Sequence, residues 1–183
     1  MKIIPLPKNE NAELAAKIGI DDNKISSLFC AFEKYLDFNN LDKEISITEI
    51  SSDAFKNVVG VENIILPKST ETIKEFAFKN CADLKTVVID ADNGDLLIQS
   101  NSFDDCKNLD SVCITCNKLT IEKDAFIGCS KIRAVVLICS DLALRKDSFL
   151  ESTETTIYGN KKIGSSVLKK YCDKKKIKFV EVN

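Results

Sequence analysis

Five phenylalanines, Phe55, Phe78, Phe103, Phe126 and Phe149, stand 23, 25, 23 and 23 residues apart in a chain of 183. A fixed period in the twenties marks a short supersecondary unit stacked on copies of itself, because one such unit cannot bury its apolar face alone. Take each Phe as position zero. An aliphatic residue stands five before it (Ile50, Ile73, Ile98, Ile121, Leu144), and a small residue immediately before it (Ala54, Ala77, Ser102, Ala125, Ser148). Position +3 holds Val58, Cys81, Cys106, Cys129 and Ser152, and +6 holds Val61, Leu84, Leu109, Ile132 and then Thr155, where the pattern first fails. Positions +9 and +11 pair Ile64 with Leu66, Val87 with Ile89, Val112 with Ile114 and Val135 with Leu137. The longer second interval reads as a local insertion near Asn93-Gly94.

The +9 to +11 stretch alternates with period two and is rich in Val and Ile, as a half-buried strand is. Each unit thus predicts one short strand, and stacking pairs these strands into a parallel sheet along one face of a solenoid. Leu96 with Ile98, Leu119 with Ile121, and Leu142 with Leu144 give a second, shorter alternation, a minor strand on the opposite face. Between the two, Asn57, Asn80, Asp105 or Gly128 stands next to the small residue, which predicts a tight turn or a single helical turn. The small residue beside each Phe leaves room for ring to pack on ring, so a phenylalanine ladder forms the spine of the core.

The run Ile73-Lys-Glu-Phe-Ala-Phe-Lys-Asn-Cys-Ala-Asp-Leu-Lys-Thr-Val-Val-Ile89, with its weaker copies, resembles the unit of the BspA-like leucine-rich repeat family. The likeness runs from residue 45 to about 160. Thr156-Ile-Tyr-Gly159, Gly164-Ser165, Tyr171 and Ile177-Lys-Phe-Val180 are similar to the C-terminal cap that ends such arrays. The family's proline after the strand survives only as Pro67 and its turn glycine only as Gly128. The resemblance implies an α/β leucine-rich-repeat solenoid of about five repeats, 23–25 residues each, acting as an interaction or adhesion scaffold.

A chain of 183 residues, 44% of them hydrophobic, holds one cored unit comfortably. We expect a single structural domain made of an N-terminal helical cap over 1–44, repeats over 45–160 and a helix-strand cap over 161–183. From Asp22 onward, Ile25, Leu28, Phe29, Phe32, Tyr35 and Leu36 fall on one face of an amphipathic helix, with Asp21 and Asp22 for N-cap chemistry. A shorter helix over Asn11 to Ile18 precedes it and stops at Gly19. A helical pair placed there covers the open end of the first coil, and docking or dimerisation is the rival use.

No apolar run approaches the roughly 18 residues of a membrane helix. Two prolines interrupt Met1-Lys-Ile-Ile-Pro-Leu-Pro7, so it does not read as a signal peptide, and the chain as written is expected to be soluble with export left open. Residues 161–183 carry eight lysines against Asp173 and Glu181, which leaves that segment about +6 and the remainder about −8 of a net −2. Val167, Leu168, Tyr171 and Cys172 fall at helical spacing, so these lysines read as the solvated side of a capping helix. The segment has no arginine and only one interleaved aromatic position, which argues against nucleic acid as a partner.

Histidine is absent altogether. That removes Ser-His and Cys-His nucleophile activation, His-ligated zinc and the commonest general base near neutral pH. No phosphate-cradling glycine loop occurs. We therefore expect no enzymatic activity, no catalytic or metal-binding residues and no cofactor. The repeat phase sorts the eight cysteines. Cys81, Cys106 and Cys129 share +3 and form an inward ladder of small apolar side chains, and Cys30 and Cys172 lie in the apolar stripes of the two end helices. Cys113, at +10, faces outward. Cys116 and Cys139 share +13 on adjacent coils, close enough for a bridge; free thiols, or a less favoured metal site with Cys113, are the alternatives. Cys113-Ile-Thr-Cys116 is a C-x-x-C, but it runs along a strand and into a turn, whereas a redox thiol needs a helix N-terminus.

Outward strand positions define the candidate binding face. Ile65, Val88, Cys113 and Val136 at +10 form an apolar stripe, flanked at +8 by Asn63, Thr86, Ser111 and Ala134. Such a stripe marks an interaction surface, or reflects the liking of a tightly wound sheet for β-branched residues on both faces. The function expected on this reading is non-enzymatic protein recognition by the sheet face, with self-association left open. The narrower alternative is a secreted or cell-surface adhesin for host protein or glycan.

Overall fold

The computed structural model describes residues 2–5, 17–30, 34–41, 45–92, 94–149 and 154–182. Its strands, numbered along the chain, form two sheets that face each other across the core. The first, of seven strands, runs through β4 (Tyr35–Asp37), β6 (Asn63–Ile65), β8 (Thr86–Asp90), β10 (Ser111–Thr115), β12 (Ala134–Ile138), β14 (Thr156–Asn160) and β15 (Lys178–Val182). The second, of eight strands, holds β1 (Lys2–Pro5), β2 (Lys17–Asp21), β3 (Lys24–Cys30), β5 (Glu49–Ile50), β7 (Thr72–Ile73), β9 (Asp95–Ile98), β11 (Lys118–Ile121) and β13 (Asp141–Leu144). Every neighbouring pair is parallel except β1–β2 and β2–β3. The chain thus winds as a solenoid of about six turns, its two strands per turn supplied by the two alternations in the sequence. Thr86 pairs with Ser111 whereas Asp95 pairs with Lys118, so the two extra residues of the longer interval sit at the corner between β8 and β9. Gly94 lies there; Asn93 is outside the described residues.

The five phenylalanines are the spine. Phe55, Phe78, Phe103, Phe126 and Phe149 are fully buried, and each ring stacks on the next with centroids 4.8–4.9 Å apart and planes within 14°. That spacing is the separation of adjacent strands, so the stack follows directly from the coil pitch. Each coil turns twice around its Phe through left-handed backbone. Two residues before it, Asp53, Asn101, Asp124 and Asp147 have φ of 56–59°, and two after it Asn57, Asn80 and Asp105 have φ of 58–60°. Asn and Asp tolerate that region because their short polar side chains bond locally. Gly128 takes the +2 place in its coil at φ 75°, where a Cβ would lie 3.0 Å from the Cα of Asp105. Phe76 occupies the same region at φ 59°, an unusual place for a bulky side chain; its ring lies 5.1 Å from Lys79 Nζ.

Small residues at −1 and +3 serve the backbone. The Phe N–H of one coil donates to the −1 carbonyl of the next: Phe55 to Ala77, Phe78 to Ser102, Phe103 to Ala125 and Phe126 to Ser148, at 2.7–3.2 Å. At +3, Cys81, Cys106 and Cys129 are buried as expected, and their thiols donate back to the carbonyls of Phe55, Phe78 and Phe103 at 3.0–3.1 Å.

The chain ends differ from one another in how far they match expectation. Where an amphipathic helix is predicted from Asp22, β2 and β3 form an antiparallel hairpin instead. Asp22 and Asn23 make its two-residue turn, with Asp22 at φ 50°, so the residues read as N-cap chemistry are hairpin chemistry. β3 then pairs with β5 through Ile25 and Ile50, and β4 pairs with β6 through Leu36 and Ile64. The open sheet edges of the next coil offer these residues strand partners, and that tertiary demand outweighs a short helical periodicity whose first turn includes Ser26 and Ser27. Of the shorter helix expected over 11–18, residues 11–16 lie outside the described set, while Lys17 and Ile18 are in β2. Phe32 and Ser152 also lie outside it, and of Cys30 only its backbone place in β3 is described.

The C-terminal cap is a helix followed by a strand, as expected. α1 (Lys161–Ile163), capped by Asn160, passes through a π-helical turn over Gly164–Leu168 into α2 (Lys169–Lys175), which ends at Lys176 with φ 58°. Ile163, Leu168 and Cys172 are the buried apolar side chains of this segment among the described residues. The first two are five apart, the spacing of a π turn, so one extra residue is absorbed there and the buried face stays in phase. Gly164 admits Phe179, whose ring carbon would be 2.8 Å from a Cβ at that position. Val167, assigned by its spacing to the apolar stripe, is 41% exposed.

Candidate functional site

On the outer face of the seven-stranded sheet, the parallel register turns sequence positions into rows. Ile65, Val88, Cys113, Val136, Tyr158 and Val180 face one another in unbroken succession from β6 to β15, and Asp37 of β4 begins the row. Beside it runs a second row: Tyr35, Asn63, Thr86, Ser111, Ala134, Thr156 and Lys178. The eight residues predicted for this surface, Ile65, Val88, Cys113 and Val136 with Asn63, Thr86, Ser111 and Ala134, therefore lie together on one face. All are half-buried, alternating with fully buried core residues along each strand.

The repeat reading missed Tyr35, Tyr158, Val180 and Ile138, which continue or flank the apolar row. Tyr158 pairs with Val136 at an offset of 22 residues, one short of the common period, and Tyr35 pairs with Asn63 at 28. Period-two alternation in Thr156-Ile-Tyr-Gly159 was the available signal, but a phase carried from Phe149 lands one residue off.

The edge of this face at the strand starts is charged, with signs alternating from coil to coil. Lys34 meets Glu62 at 2.9 Å, Glu62 meets Lys85 at 2.7 Å, and Arg133 pairs with Asp110. Lys131 Nζ donates to Asn108 Oδ1 at 2.7 Å. Lys85 and Lys34 hold the Glu62 carboxyl below its ordinary value, and Arg133 does the same for Asp110. All of these except Lys34, with Asn63, Thr86, Ser130 and Glu154, line an open groove of about 670 Å³. Stacked unlike charges favour the native register over a slip by one coil, where like charges would meet.

The thiols divide by position. Cys113 lies outward on β10, and burial, then the charge of Asp90, pushes its thiol up. Cys116 and Cys139 follow the ends of β10 and β12; both are buried free thiols. The neighbouring Cys139 thiol, then burial, raises Cys116. A reactive thiolate needs a depressed value, and the Cys113-x-x-Cys116 pair has the opposite. No group of three or more metal-ligating side chains converges among the described residues.

A family model described as the BspA type leucine-rich repeat region matches residues 29–156, in six copies. The chain belongs to the BspA-type leucine-rich repeat family. The match begins upstream of the first repeat expected from the phenylalanines and counts six copies where about five are expected, in keeping with β3 and β4 joining the two sheets. No curated protein and no solved structure matches the chain. Within this BspA-type array, Cys113 takes on the middle strand the outer-row place that Ile65, Val88 and Val136 hold on other strands, and the charged edge changes sign at each coil.

Proposed function

We propose that this BspA-type array is a non-enzymatic protein-interaction module that recognises its partner with the outer face of the seven-stranded sheet. The observation carrying the reading is the unbroken row from Ile65 to Val180. It sets apolar groups about 4.8 Å apart on a rigid parallel sheet, flanked by a polar row and a charged edge. An apolar centre with a polar rim is the anatomy of a protein interface. Family membership supports the same reading, since BspA-type repeats are interaction or adhesion scaffolds.

The test is Val88→Lys with Val136→Lys, which puts two charges into the centre of the row at positions the core does not use. Capture of partners from native cells, and sedimentation for self-association, should fall at least about tenfold, as expected from desolvating charge in an interface. A matched Thr120→Lys on the opposite sheet should leave both unchanged. Undiminished capture by a correctly folded double variant rejects the assignment to this face.

A further inference from the structure

The C-terminal cap carries an unpaired cationic face that the sheet surface does not use. Through the repeats, lysines are matched to carboxylates: Lys24 and Lys74 to Glu49, Lys34 and Lys85 to Glu62, Lys79 to Asp104. In the cap only Lys175 is so placed, against Asp147. Lys161, Lys162, Lys169, Lys170 and Lys174 on the helix, with Lys176 just beyond it, are exposed and form no ion pair among the described residues. The acidic residues within the segment are Asp173 and Glu181, and Asp141 of β13 lines a small cleft together with Lys162.

The π turn brings these charges together. An uninterrupted α-helix rotates 100° per residue, and the extra residue at Gly164–Leu168 resets the phase of α2 by one step. The same reset that keeps Ile163, Leu168 and Cys172 on the core side leaves Lys161 and Lys162 on the side of Lys169, Lys170 and Lys174. The result is a cationic strip about 20 Å long. Its chemistry is point charges on flexible stems. It has no arginine fork to grip a phosphate bidentately, no exposed aromatic to stack on a base and no groove to enclose a chain. An array of that kind suits a flat anionic surface whose charges are laterally mobile.

We propose that this face binds an anionic phospholipid bilayer. Adsorption is electrostatic and peripheral, because Val167 is the one large hydrophobic side chain exposed in the cap among the described residues. It leaves the sheet face free to hold a protein partner.

The test is flotation of the full chain with phosphatidylcholine vesicles containing about one third phosphatidylserine, at low and high salt. We expect binding to these vesicles at low salt, none to pure phosphatidylcholine, and release as salt rises. Replacing Lys161, Lys162, Lys169 and Lys170 by Gln should weaken partitioning about fivefold per lysine, at least a hundredfold in all. Arginine at the same four positions should retain it, and circular dichroism should show both variants folded. Equal flotation with neutral vesicles, no flotation at low salt, or an unweakened Gln variant overturns the proposal. So does binding to a short DNA duplex without binding to vesicles, which assigns the face to nucleic acid.

Discussion

Ser102 and Ser148 occupy the same −1 place, two coils apart, and do opposite things. Ser148 Oγ lies 3.0 and 2.6 Å from the carbonyls of Ile121 and Arg145, either of which can take its one proton, whereas Ser102 Oγ is buried with no hydrogen-bond partner among the described residues. The backbone carbonyl of Ser102 still receives the Phe78 N–H, so its hydroxyl adds only a desolvation cost. Ala77 and Ala125 show that the coil accepts alanine there with full burial. Ser102→Ala is expected to stabilise the protein by about 1 kcal/mol and Ser148→Ala to destabilise it by about as much. Urea midpoints of the two variants check this, and a shift of the same sign in both would reject it.

Among the elements, the ladder is finished at each end by a ring turned on edge. Phe38 meets Phe55 at 86° and Tyr171 meets Phe149 at 76°. Tyr171 also stands in for a missing coil: its hydroxyl accepts from the Phe149 N–H at 3.0 Å and donates to the Phe149 carbonyl at 2.8 Å. In the interior coils the same N–H bonds to the following −1 carbonyl. Tyr171→Phe keeps the ring and strands both backbone groups, so it should cost about 2 kcal/mol and open the last coil first. Faster amide exchange at Phe149 with unchanged exchange at Phe103 is the expected pattern. This arrangement also shows what the sequence made legible. The ladder, both strands of each coil, the thiol row and four members of the outer apolar row follow from counting off phenylalanines, because each depends on contacts that recur at one period. The N-terminal hairpin and the outward places of Tyr35, Tyr158 and Val180 do not follow. They depend on which sheet edge is left open and on offsets of 28 and 22 residues that the period does not carry.

Across the whole molecule, buried thiols tie stability to alkaline pH. The Cys106 thiol beside it, then burial, raises Cys81; Cys129, then burial, raises Cys106; burial, then Asp173, pushes Cys172 up to about 11. An acid whose folded value lies above its unfolded one leaves the unfolded chain binding fewer protons, so stability falls as pH rises. The contribution is full below the ordinary thiol value of 9.0 and is lost for Cys172 up to about 11. The urea midpoint should therefore decline between those limits, and more gently for a Cys81→Ala, Cys106→Ala double variant; equal slopes would count against it. The edge-on rings have a consequence at this scale as well. An array whose every interior coil is a valid partner for another copy of itself has no inherent length; it grows like a crystal along one axis until something poisons the growing face. Phe38 and Tyr171 are those poisons. Because both act only on the coil they touch, length is an editable quantity, and each coil added or removed between them would change the outer sheet face by one ring spacing of 4.8 Å while leaving its two ends as they are.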